Sequence, residues 1–355
     1  MKHILIRSLI PIFSSVLLAI SCKTSDTGKM EKHIDRILSK YDGSDIPGAS
    51  VAVMQNDSII FRKGYGLSNI QTGERITPSS NFRLASVTKQ FTAMTILMLA
   101  EQGKLSLEDS LSSYFPDFPD YGKDIRIRHL LTHTSGLVDY EDLIPKTLSR
   151  QVHDTDCLEL MHETDSLYFP AGSRYRYSNT GYALLSLITE KVSGQPFAKF
   201  LNDSIFKPLG MQTSVAYEEG VSTVQNRAFG HSFRNNEWVQ TDQSQTSAVL
   251  GDGGIYSNPG ELATWISALW NHRLIKAELQ DKAWSKALLN DGTSIGYGFG
   301  WHLDGSDSHP HHDGSTMGFR NHILVYPEKK MMVVLLTNRN DAEPRAEAEK
   351  IAALF

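Results

Sequence analysis

Two hydrophobic patterns occupy different parts of this chain: apolar residues recurring every third or fourth position in its middle, and short consecutive or alternating apolar runs near its ends. Met30, Ile34, Ile37, Leu38 and Tyr41 fall on one helical face and Gly43 follows as a stop, so a helix opens the folded part. Residues 49–54 and 59–63 are apolar runs flanking Asn56-Asp57, the spacing of an antiparallel hairpin. Residues 297–303, 319–326 and 331–337 read as three more strands, and 342–355 as a closing helix. Between them the pattern predicts helices over 87–102 closed by Gly103, 179–193 closed by Gly194, 196–206, and 259–270 with Asn258 as cap and Pro259 as first residue.

Strands at both ends with helices between them predict an α/β chain of the α+β kind: one antiparallel sheet built from both termini, with a large mostly helical insertion. Residues 30–85 and 290–355 would form the sheet part and 86–289 the helical part of one domain, 30–355. A catalytic cleft would fall between the two parts.

The first residues change the picture of where such a domain works. Lys2 and Arg7, an apolar stretch over 9–20, then Ser21 and Cys22 follow the order of a secretory signal over residues 1–21. The stretch contains Pro11 and is shorter than the roughly 20 residues of a membrane-spanning helix. Ala19-Ile20-Ser21-Cys22 resembles a bacterial lipobox, which implies an acylated Cys22 and a polar tether over 22–29. The expectation is an exported protein held on a membrane of the periplasm or cell envelope by its lipid. Cys157 is the other cysteine, so with Cys22 acylated no intramolecular disulfide can form.

With 355 residues, 40% of them hydrophobic and 21% charged, the chain can bury a sizeable core, which excludes disordered and collagen-like classes. Without Lys2 and Arg7 it carries 33 basic against 40 acidic residues, a surface unsuited to nucleic acid.

Ser86-Val87-Thr88-Lys89 is a Ser-x-x-Lys sequence at the start of a predicted helix. Three residues apart, hydroxyl and amine share a helical face, and a serine there lies beside backbone N–H groups free to face an oxyanion. Ser204-Ile205-Phe206-Lys207 repeats the spacing, but near a helix end just before Pro208, where a structural hydroxyl is the plainer reading. Tyr177-Ser178-Asn179 sets a phenol and a carboxamide at another helix entrance. Tyr256-Ser257-Asn258 repeats it where Asn258 serves as a cap, and Asn179 has the same plain alternative.

His312-Asp313-Gly314-Ser315 precedes the strand at 319, where Gly314 would let substrate lie against the sheet edge. His309, His311 and His312 read as a solvated polar loop rather than a metal site, since no further cysteine or carboxylate pattern accompanies them. His129 and His133 lack the glutamate of a His-Glu-x-x-His helix and read as structural. No Gly-x-Ser-x-Gly elbow occurs, and Gly251-Asp252-Gly253-Gly254 lacks the Lys-Ser/Thr of a phosphate loop and reads as a tight turn.

In order and spacing, Ser86-x-x-Lys89, Tyr177-x-Asn179 and His312-x-Gly314 resemble the motifs of the serine β-lactamase and penicillin-binding-protein superfamily, nearest its class C branch. The stretches 129–137, 177–182, 253–257 and 297–301 resemble it too. The resemblance implies that Ser86 attacks a carbonyl to form an acyl-enzyme while Lys89 and Tyr177 manage its proton, which of them is the base being open. It implies that Asn179 holds the substrate carbonyl, that His312, Gly314 and Ser315 border the substrate, and that the N–H groups of Ser86 and Ser315 form the oxyanion hole. No metal or organic cofactor is implied.

A lysine with pKa near ~10.4 is neutral in only about one molecule in two thousand at pH 7, so burial or a neighbouring cation must depress the base. The family's third motif commonly has threonine or serine where this chain has Asp313. A carboxylate there would repel a substrate carboxylate, which favours ester or amide hydrolysis of a neutral or amine-bearing small molecule or peptide, cell-wall derived or not, over β-lactamase or D-alanyl-D-alanine carboxypeptidase action. The opposing possibility is that Asp313 turns away toward His312 or Arg320. A non-catalytic penicillin-recognising sensor is the alternative outside enzymes, and the intact Ser86, Lys89, Tyr177 and Asn179 speak against it.

Overall fold

The opening helix α1 spans residues 28–37 in the computed structural model, which describes residues 28–305 and 309–355. The expected signal, Cys22 and residues 22–27 of the tether lie outside the described residues. Gly28 and Lys29, expected in the tether, are already helical, ahead of Ile34, the first buried residue among those described. Among the described residues no helix is long and apolar enough to cross a membrane.

The hairpin follows as β1 (Ala49–Gln55) and β2 (Ser58–Tyr65). Its two-residue loop needs positive φ at both positions, and Asn56 (φ 49°) and Asp57 (φ 61°) supply it. A 3-10 turn over Ala85–Thr88 leads into α2 (Lys89–Glu101). Next come α3 (Asn179–Ser193) and α4 (Pro259–Trp270), the latter capped by the Asn258 Oδ1, which accepts the Glu261 N–H at 3.0 Å. The chain ends in β3 (His311–Thr316), β4 (Phe319–Tyr326), β5 (Met331–Thr337) and α5 (Pro344–Ala352).

The five strands form one antiparallel sheet in the order β3-β4-β5-β1-β2, with the two chain ends meeting at Ala49 opposite Thr337. β5 is buried at every position because both sheet faces are covered. Met331, Val333 and Leu335 join Ile34, Leu38 and Ile351 of α1 and α5, while Met332, Val334 and Leu336 join Trp265, Ile266 and Leu269 of α4. Thus α4, placed by sequence in the helical insertion, packs on the sheet, since its apolar face finds the alternate residues of β1 and β5. The free thiol of Cys157 is buried.

Three expectations fail locally. Residues 297–303 are not a strand: Tyr297 and His302 pair as an isolated bridge, Gly298 N–H donates to the Trp301 carbonyl at 2.8 Å, and the segment turns back on itself. Gly300 (φ 78°) permits this, and a Cβ there would lie 2.8 Å from the Lys89 carbonyl oxygen. The sheet's edge is instead β3, expected as a solvated loop, in which His311 and His312 are buried. The helix expected over 196–206 starts at Phe197 and runs on through Pro208 to Leu209; a π turn over Asn202–Phe206 widens the backbone ahead of the proline, which has no N–H to offer.

Candidate active site

Ser86 follows Ala85, whose φ of 51° is a left-handed conformation that a non-glycine residue holds only when its surroundings impose it. The surroundings are β3 and β4. Asn321 Nδ2 donates to the carbonyls of Arg83 (2.8 Å) and Leu84 (3.2 Å), and at Gly314 a Cβ would stand 2.1 Å from the Leu84 oxygen. Gly314 therefore makes room for the turn bearing Ser86, which corrects the expectation that it makes room for substrate.

Lys89 is completely buried, and its ammonium has three acceptors for its three N–H groups: Ser86 Oγ at 3.2 Å, Asn179 Oδ1 at 2.8 Å and the Asp252 carbonyl at 2.9 Å. Burial depresses its pKa to about 8, outweighing the opposite pull of Asp252, Asp139 and Glu141. The second Ser-x-x-Lys copy has no such arrangement. Ser204 lies in the π turn, and Lys207, largely exposed, bonds Asp203 at 2.9 Å.

Tyr177 places its ring 5.0 Å from Lys89 Nζ. Its hydroxyl is shut off from solvent and has no hydrogen-bond partner in good geometry among the described residues. Burial drives the phenol well above its ordinary range, although nearby Ser86 acts in the other direction. His133 packs on Tyr177 with ring centroids 4.1 Å apart, and its Nδ1 accepts the Ser178 N–H at 3.2 Å, so it holds the tyrosine loop in place. Burial, with Lys89 next, keeps His133 far below its usual pKa and therefore neutral. His129 accepts the Arg126 N–H at 3.0 Å, away from the serine.

Asn179 is the first residue of α3 rather than its cap. Its N–H donates to Asp139 Oδ2 at 2.8 Å and its side-chain amide to Glu141 Oε1 at 3.2 Å, while its Oδ1 receives Lys89. On β3, His312 Nε2 lies 2.9 Å from the Tyr297 hydroxyl. Ser86, Asn179, Glu141, Asp252, Arg83 and Ser315 line one cleft.

Asp313 is turned the other way. Its Oδ1 accepts from His322 Nδ1 at 2.7 Å and its Oδ2 lies 4.0 Å from Arg345, on the sheet face opposite the serine. Neighbouring residues on a strand point to opposite faces, so a strand that turns His312 toward Tyr297 and Tyr177 turns Asp313 away from them. The expectation that Asp313 repels a substrate carboxylate is overturned, and its partners are His322 and Arg345 rather than His312 or Arg320.

The acids that do border the cleft escaped the sequence reading. Asp252 is buried in the short helix Leu250–Gly253, where a tight turn was expected, and its Oδ2 accepts the Tyr140 hydroxyl at 2.8 Å. Burial raises its pKa to about 7 against the pull of Lys89. Glu141 stays open to solvent along one side, yet partial burial and then the charges of Asp252 and Asp139 raise it to about 7 as well. An Asp between glycines and the run Asp139-Tyr140-Glu141 were the available signals.

A profile of the Beta-lactamase family matches residues 34–355. Penicillin-binding protein 4* of Bacillus subtilis (strain 168) is 30% identical over 331 residues, covering 87% of this chain and 72% of that protein. Protein flp of Staphylococcus aureus (strain N315) is 26% identical over 88% of this chain, which spans 64% of its length, less than two thirds. Among solved structures, the penicillin binding protein from Bacillus halodurans superposes with a TM-score of 0.78 at 27% identity, covering 91% of this chain and 99% of that one.

Proposed function

Because this chain belongs to the beta-lactamase family, we propose that it hydrolyses an ester or amide through an acyl-enzyme on Ser86. The observation that carries this reading is the fully buried Lys89 with its Nζ 3.2 Å from Ser86 Oγ. A lysine with pKa about 8 is neutral in roughly one molecule in ten at pH 7, about two hundred times the share of an unperturbed one. Lys89 is therefore the base and Tyr177, held neutral, the relay. Neutral Lys89 takes the Ser86 proton as Oγ bonds to the carbonyl carbon, and the N–H groups of Ser86 and Ser315 receive the oxyanion. As the intermediate collapses, Tyr177 gives its proton to the leaving oxygen or nitrogen and regains one from Lys89. Water then attacks the acyl group and returns the proton to Ser86. Tyrosine at the head of the second motif supports the class C branch.

For the substrate, Glu141 on the Asn179 amide, with Asp252 beside it, brings two carboxyl groups to the cleft, while the Arg83 guanidinium there is already held by Gln243 and the Ser247 carbonyl. That supports a neutral or amine-bearing acyl group over one with a carboxylate, as β-lactams and D-alanyl-D-alanine peptides have. A cell-envelope peptidase or esterase, exported and anchored through Cys22, is the setting we propose. Recovery of a soluble native protein with an unmodified Cys22 would refute the anchor.

A fluorophosphonate probe should label the protein, with the adduct on Ser86. Among three p-nitrophenyl esters differing only in an ammonium, a methyl or a carboxylate group, kcat/KM should fall in that order, and Glu141→Gln should erase about tenfold of the preference. Labelling elsewhere refutes the nucleophile. An unchanged preference in Glu141→Gln refutes the substrate class alone.

A further inference from the structure

The face of β3 and β4 that carries Asp313 holds a second cluster that the hydrolytic reading does not use. Antiparallel register places Asp313 of β3 opposite His322 of β4, and alternation sets His311 on the same face, with the His311 and His322 rings 5.7 Å apart. One ligand atom can be chosen from each of His311, Asp313 and His322 so that all lie within 4.8 Å of one another.

Proton accounting shows what these rings offer. His322 Nδ1 faces Asp313 Oδ1 at 2.7 Å, and His311 Nε2 faces Asp304 Oδ1 at 2.8 Å. A carboxylate only accepts, so these nitrogens carry the hydrogens and a neutral ring keeps a bare lone pair on the other one. Those other atoms, His322 Nε2 and His311 Nδ1, are buried and have no hydrogen-bond partner among the described residues. The two side chains are 1% and 5% exposed. An acceptor held out of water with no donor is unfavourable, and a cation relieves the cost.

We propose that His311, Asp313 and His322 bind one zinc-type divalent cation. Two imidazoles and one carboxylate suit zinc rather than magnesium or calcium, which take oxygen ligands, and three protein ligands leave a fourth position for water. Asp304 on His311 supplies the carboxylate–histidine support that orients a metal-binding imidazole, while Asp313 exchanges its hydrogen bond with His322 for the ion. Tetrahedral zinc with bonds of about 2.0–2.1 Å needs ligand atoms roughly 3.4 Å apart, so atoms now within 4.8 Å of one another must draw together as the ion enters and the Asp313 carboxylate turns onto it. The ion would tie β3 to β4 two residues before Ser315. This site is independent of the hydrolase reading.

The full chain, passed through EDTA and titrated with zinc sulfate in a calorimeter, should take up one zinc per chain. His311→Gln and His322→Gln should each weaken binding at least a hundredfold, and Asp304→Asn about 10–100-fold. Cobalt added to the native chain should give the intense visible bands of a tetrahedral site, which decides the matter even if a glutamine variant fails to fold. Absence of stoichiometric zinc uptake, absence of those bands, or native affinity in both glutamine variants overturns the proposal.

Discussion

Ser86-x-x-Lys89 and Ser204-x-x-Lys207 share a spacing and little else. At the first, the chain bends through a left-handed Ala85, the lysine has no exposure, and its ammonium bridges the serine, Asn179 and the Asp252 carbonyl. At the second, a π turn holds the serine and the lysine reaches out to Asp203 in solvent. A helical spacing brings a hydroxyl and an amine to one face; only burial against neutral acceptors turns the amine into a base near neutral pH. The pair thus separates what a motif specifies from what its surroundings must add.

The strongest way to break this contrast is to remove each serine. Ser86→Ala should reduce kcat/KM for a neutral ester by about 10⁴–10⁶-fold and abolish fluorophosphonate labelling, while Ser204→Ala should leave both within about twofold. Comparable losses from the two would mean that spacing suffices.

Removing each lysine comes next in size. Lys89→Ala should cost about 10²–10⁴-fold, the range of a general base, and Tyr177→Phe a similar factor. Combined with Ser86→Ala neither should add further, because the three act as one unit. Lys207→Ala should be silent in the same assay.

The pH profile sharpens the role of burial. A Lys89 pKa of about 8 makes kcat/KM rise with pH through a limb near 8. Asp252 raises the Lys89 pKa by its charge, so Asp252→Asn should move that limb to lower pH and increase the neutral fraction at pH 7. A limb that stays in place, or moves upward, contradicts the assignment of Lys89 as the base.

The smallest expected effect is the most pointed. Asp203→Asn frees Lys207 of its partner without burying it, so mass spectrometry should detect no probe on Ser204. Labelling there would show that release from an ion pair, not burial, makes the lysine competent.

Much of the scaffold could be read from residues acting locally. Asn56-Asp57 at a hairpin, Gly103 and Gly194 after helices, and Asn258-Pro259 before one each fix φ or a cap within a few positions. What eluded the sequence depends on partners far away. Residues 297–303 look like a strand until Gly300 meets Lys89, and β3 looks like a loop until its polar side chains find Tyr297, Asp304 and His322. Asp252 is one acid between glycines until Lys89 and Tyr140 close on it. Asp313 shows the limit most clearly, because one position of strand register decided which face it occupies.

The seam between the two chain ends sets a timetable for synthesis. Gly48 N–H bonds the Asn338 side chain 290 residues away, and β3 and β4, the strands supporting Ser86, are made long after it. A chain still on the ribosome, with residues beyond 310 inside the exit tunnel, has its serine and lysine but not the strand that pins Ala85 or carries Ser315. Long-range strand pairing of this kind forms slowly. The serine therefore lacks its support until β3, β4 and β5 have emerged, and deletion of β5 should abolish hydrolysis even with every cleft side chain still encoded.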